Sequence, residues 1–147
     1  MKNEHFLLAK SSAELSKEFK NSKLATVDGS KSATLRDFYD AIGEALEFPE
    51  YYSANLDSLD EMLNDLEWIE DEQVVLWIPN SDNWLIKEKS EEKIVAVVDL
   101  LDAAAEEWKW IEDDDEDRDK KDLRIVLEDT PRIRQLLENQ YIPFGTL

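Results

Sequence analysis

An α/β fold built on a parallel sheet is what this sequence predicts, and three observations predict it. Short runs rich in branched residues, Leu24 to Val27, Val74 to Ile78 and Leu123 to Leu127, have strand character. Segments of helical period separate them, and parallel neighbours need a crossover that a helix supplies. The middle run is apolar at every position, as expected for a strand covered on both faces.

Taken in chain order, His5 to Ala9 is a candidate further strand and Ser12 to Lys20 a candidate short helix. Asp28 and Gly29 close the strand at 24–27, after which Leu35, Phe38, Ile42 and Leu46 recur at helical spacing in a segment that ends before Pro49. Gly43 should weaken that helix slightly. A second helix is expected from Asn55 or Leu56 to about Leu66, with Asn55 as its cap. A long third helix runs from about Glu88 to Trp110, with Ile94, Val97, Val98, Leu101, Ala105 and Trp108 on its buried side. Thr130 and Pro131 are a cap and first turn for a terminal helix through Leu137. A length of 147 residues with 42% hydrophobic content suits one domain, 1–147, and no Pro/Gly/Ser linker divides it.

Charge narrows the function. The chain carries 36 acidic and 17 basic side chains, a net −19, which disfavours binding to nucleic acid or to an anionic membrane surface. A basic protein is the natural complement. The charge is also uneven: residues 37–86 hold fourteen acidic side chains and no lysine or arginine. The densest patch, EDDDEDRD at 112–119, lacks apolar periodicity and reads as a solvated loop. Absence of cysteine removes disulfides, thiolate metal sites and cysteine nucleophiles. Phe6 to Ala9 is too short for a signal-peptide core and nothing approaches a membrane span, so a cytoplasmic protein is expected.

The residue inventory offers little for catalysis. With glycines only at 29, 43 and 145, no phosphate-cradling loop can be written, and no cofactor is expected. His5, the one histidine, has no triad or metal partner in the pattern around it. Asp113, Asp115 and Asp117 resemble the start of a calcium loop, but Arg118 stands where glycine is needed and Arg124 where a bidentate glutamate is needed. No metal site is expected either.

The segment from Phe48 to Trp68 carries the functional argument. On a wheel of 100° per residue, Asp60, Glu61, Asn64 and Asp65 fall within about 80° of Asp57. Leu59, Met62, Leu63 and Leu66 fall between about 140° and 240°, and Leu56 near 260°. Asp57, Asp60, Glu61 and Asp65 therefore point outward from a helix with no basic residue. Like charges four apart cost a few tenths of a kcal/mol each, roughly, so a helix serving stability alone would more often carry a lysine there. Just upstream, Tyr51 beside these carboxylates would make an interface anchor, while one of Tyr51 and Tyr52 belongs to the core.

The run Pro49-Glu50-Tyr51-Tyr52, followed by Asn55-Leu56-Asp57 and Leu59, resembles the signature of the barstar family, intracellular inhibitors of the ribonuclease barnase. The resemblance extends from about Leu24 to Asp129, with VDG at 27–29 and LRIVLED at 123–129, leaving 1–23 and 130–147 as terminal extensions. It implies a three-stranded parallel sheet packed with helices, open to extension by further strands. It further implies that the second helix and its preceding loop enter a ribonuclease active site, with Tyr51, Asn55 and Asp57 matching binding positions. Two residues depart from the family: Asp60 replaces a tryptophan and Glu61 an aspartate, so the cleft that is filled would differ from that of barnase. A glutamate on the long helix also contributes in the family, with Glu88, Glu91 and Glu92 nearby.

The expected function is therefore a non-enzymatic inhibitor, or immunity protein, binding a basic ribonuclease toxin one to one as a monomer. Its contacts would come from Tyr51, Asn55, Asp57, Asp60, Glu61 and Asp65. The alternative is an acidic module that mimics nucleic acid toward a basic non-enzyme partner. An enzyme with paired carboxylates is the third reading, and abundance makes any single pair uninformative.

Overall fold

The structure, a computed structural model, describes residues 5–109 and 121–147. The acidic run at 112–119 and the calcium-like triplet lie outside the described residues. The elements run β1 (Phe6–Ala9), α1 (Ser12–Glu18), β2 (Lys23–Thr26), α2 (Leu35–Ala45), α3 (Leu56–Asp65), β3 (Gln73–Ile78), α4 (Glu91–Lys109), β4 (Asp122–Glu128), α5 (Pro131–Asn139) and β5 (Phe144–Thr146). A short 3-10 turn at Gly29–Lys31 follows β2.

The predicted α/β class and parallel pairing hold, but the sheet has five strands rather than three, in the order β2-β3-β4-β1-β5, all parallel. The expected trio forms one side, with Leu24 opposite Val75 and Val75 opposite Arg124. The difference arises at the other side. β1 is buried at every position and pairs with β4, Phe6 opposite Ile125, so β4 is a central strand. β5 then pairs with β1, Phe6 opposite Phe144. A three-residue strand with a central glycine carries almost no periodic signal, so β5 had no sequence signature to read.

Alternation along the strands builds two apolar layers. One face of the sheet, with Phe6, Leu8, Val74, Leu76, Ile125 and Leu127, packs on α2 through Phe38 and Ile42, α3 through Leu59 and Leu63, α4 through Val97, Leu101 and Trp108, and α5 through Ile133 and Leu137. The other face, with Leu7, Ala9, Val75, Trp77 and Val126, is covered by Leu15 of α1. Both faces of β3 are thus buried, as its unbroken apolar run requires.

Helix ends follow local chemistry. Thr34, Asn55 and Thr130 cap α2, α3 and α5 by accepting from the amides of Asp37, Ser58 and Ile133. α4 begins at Glu91 rather than Glu88: the Glu88 amide closes a turn on the Leu85 carbonyl, the Ile94 amide bonds the Ser90 carbonyl as the helix starts, and Glu88 Oε1 accepts the Leu35 amide at 2.8 Å at the start of α2. Gly29 is required by close approach: a Cβ there would lie 2.3 Å from the Asn80 carbonyl oxygen. Among the described residues no helix is long and apolar enough to cross a membrane.

Candidate functional site

The helix α3 and the connection before it are held at both ends. Leu59, Met62 and Leu63 are buried, as is Leu66 just beyond the helix, which leaves Asp57, Asp60 and Glu61 exposed on the opposite side. Asp65 is half-buried, so the outward fan is three carboxylates with a fourth at its edge. Among the described residues none of these four carboxylates has an ion-pair partner. At the C-terminal end Leu66 adopts φ 52°, a left-handed conformation that glycine usually takes. Burying its side chain returns roughly 2 kcal/mol, enough to offset a strain of about 1–2 kcal/mol. The Trp108 indole N–H of α4 donates to the Leu63 carbonyl at 2.7 Å, and buried Lys121 donates to the Ile69 and Asp71 carbonyls at 2.6 and 2.8 Å.

At the N-terminal end the two tyrosines separate. Tyr51 is 65% exposed, whereas Tyr52 packs edge-on against Phe48 with centroids 4.7 Å apart, and Phe48 in turn meets Trp68 at 5.8 Å. The Tyr52 hydroxyl donates to the Tyr39 carbonyl at 2.9 Å, tying the connection to α2. Burial, then the Asp40 charge and Tyr39, push the Tyr52 phenol well above its ordinary pKa, so it stays protonated and keeps donating. Gly43 permits this contact, since a Cβ there would lie 2.8 Å from Tyr52 Cε2. What reads in sequence as a weak point of α2 is the seat of the ring.

Asn55 Oδ1 accepts the Ser58 amide at 2.8 Å, and Ser58 Oγ accepts the Ser53 amide at 3.0 Å. These bonds fold the connection over the first turn of α3 and leave a shallow depression of about 490 Å³ lined by Tyr51, Ser53, Asn55, Leu56, Asp57, Ser58 and Glu61. Four of the six sequence-predicted site residues, Tyr51, Asn55, Asp57 and Glu61, therefore meet at one place. Asp60 points elsewhere on the same face, accepting from Asn64 Nδ2 at 2.9 Å, and Asp65 lies at the far end of the helix. Asp57, in the first turn, also sits at the positive end of the helix dipole.

Sequence reasoning did not place Ser53, Ser58, Asn64 or Gly43 in this arrangement. Asn64 stood within the acidic arc of the wheel, and a glycine inside a helical pattern was the one signal of a close packing partner. Of the long-helix glutamates, Glu91 and Glu92 are exposed in the first turn of α4, while Glu88 is engaged with α2. His5 is half-buried, its Nε2 paired with Glu106 of α4. Among the described residues no group of three His, Cys, Asp or Glu side chains could hold a metal ion.

No curated protein matches the chain. Among solved structures it is similar to the ORC2 protein of Aeropyrum pernix, in its ADPNP-ADP complexes and in its ADP form, each with a TM-score of 0.55 at 13% identity. Each likeness covers 97% of this chain but 41% of the ORC2 chain, and at this identity it is a likeness of fold alone. The connection from β1 to α1, Lys10-Ser11, contains no glycine for a phosphate loop. The stretch that contains β2 to β4 and the depression is a different matter, because residues 22–128 match the family model described as Barstar (barnase inhibitor). The chain belongs to the Barstar family.

Proposed function

We propose that the protein is a cofactor-free inhibitor, an immunity protein, that blocks the active site of a basic ribonuclease toxin in a one-to-one complex inside the cell. The observation that carries this reading is the exposed face of α3, with Asp57, Asp60 and Glu61 facing solvent without a cationic partner among the described residues. Family membership supports it. A ribonuclease gathers cationic groups where substrate phosphates bind, and carboxylates on a preformed helix can occupy those positions. Asp57 and Glu61 meet the cationic groups, Tyr51 supplies apolar contact beside them, and Asn55 holds the first turn in place. Asp60 and Asp65 extend the field along the helix and speed encounter. Because both ends of α3 are anchored in the core, little conformational entropy is lost on binding.

Titrating the purified protein into barnase and into basic ribonucleases of the source organism, with RNA cleavage as readout, tests the proposal. Cleavage by the cognate enzyme ends at one equivalent, and association slows as salt rises because screening weakens steering. Undiminished cleavage by every one of these enzymes would overturn it. Displacement of nucleic acid from a basic non-enzyme protein would then establish the mimicry reading.

A further inference from the structure

Side chains four residues apart on a helix are neighbours, so the residue at i+4 can decide where a charge at i points. On α3 the Asn64 Nδ2 group donates to the Asp60 carbonyl at 2.8 Å and to the Asp60 carboxylate Oδ1 at 2.9 Å. This double contact ties one oxygen of the Asp60 carboxylate to the residue one turn further along the helix. The depression over the first turn is lined by Asp57 and Glu61 but not by Asp60, although Asp60 lies between them in sequence and is exposed. A guanidinium reaching Asp60 Oδ1 must share or replace an existing hydrogen bond, whereas no such bond is present on Asp57 or Glu61 among the described residues.

We infer that Asn64 is a positioning residue that withholds Asp60 and leaves Asp57 and Glu61 as the carboxylate pair that meets arginines of a partner. The inference rests on α3 being the partner-binding face and assigns the division of labour within it. Asn64 acts through Asp60. Its loss therefore changes which carboxylate is engaged, an effect that simple destabilisation of α3 would not produce.

Carbon-13 NMR of the side-chain carboxylates, titrated with a hexa-arginine peptide at low salt, reads this directly. In the wild type the Asp57 and Glu61 signals shift and the Asp60 signal shifts less than half as far. In Asn64→Ala, and in the bulk-conserving Asn64→Leu, the Asp60 shift rises to match Glu61, while the backbone amide spectrum away from α3 is unchanged. An Asp60 shift equal to that of Glu61 in the wild type overturns the inference, as does an Asp60 response unaltered in both variants. If no α3 carboxylate shifts in any protein, the binding-face reading itself falls and the inference falls with it. The first two outcomes leave that reading standing, so the two failures are distinguishable.

Discussion

The start of α5 and the face of α3 are both charged, yet they use charge in opposite ways. Before α5, Asp129 accepts two hydrogen bonds from Arg134 at 2.6 and 2.7 Å, and Arg132 donates to the Ser81 and Asp82 carbonyls at 2.9 and 3.3 Å. Charges there are satisfied within the fold and hold the loop after β4 to the loop after β3. On α3 the carboxylates have no cation to answer them among the described residues, and their helix is fixed by core contacts made on its other side. Net charge alone therefore does not identify a binding surface. A surface becomes a candidate where charge is left unanswered on a rigid support.

The largest expected effect breaks this comparison at its centre. Replacing Asp57 and Glu61 together with alanine weakens binding to the cognate ribonuclease by about 4 kcal/mol, roughly a thousandfold in Kd. Replacing exposed Glu138 of α5 with alanine changes it by less than about 0.5 kcal/mol. Isothermal titration calorimetry reads both, and equal losses at the two places would remove the distinction.

A second test concerns the support. By helix propensity alone Gly43→Ala would stabilise α2 by up to about 1 kcal/mol. With Tyr52 Cε2 only 2.8 Å from the new Cβ, it instead destabilises the protein by about 1–3 kcal/mol in urea unfolding. A gain in stability would mean that Tyr52 is not held as described.

Ser32 sharpens the contrast from the buried side. Its hydroxyl is fully buried with no hydrogen-bond partner among the described residues, so Ser32→Ala is expected to stabilise the fold by about 1 kcal/mol without affecting binding. Thermal unfolding checks this.

The smallest effect is electrostatic. The Arg134 hydrogen bonds hold the Asp129 carboxyl below the usual carboxylate range. Its contribution is therefore complete above about pH 4 and is lost as pH falls through the lowered folded value. Asp129→Asn should be less stable than wild type at neutral pH, and the gap should close in strong acid. A gap independent of pH would show that the bond geometry matters and the charge does not.

Periodicity and capping are local properties, and they were readable from local sequence. The apolar arc of α3, the caps at Asn55 and Thr130, and the doubly covered β3 all depend on residues within a few positions of one another. The acidic face of α3 could be read for the same reason. Asp65 was the exception, since its half-burial depends on how the end of the helix settles against its neighbours. Which tyrosine is core was likewise open until α2 was placed, because Tyr39 and Gly43 come from another helix.

Sequence alone determined that this chain is α/β with a parallel sheet and that one helix carries a charge it does not neutralise, because side-chain spacing along a single element decides both. Tertiary structure alone decided the five-strand order, the removal of Glu88 to the start of α2 and the gathering of Tyr51, Asn55, Asp57 and Glu61 around one depression. Each of these joins residues distant in sequence or turned by the packing of another element, and no local pattern encodes that.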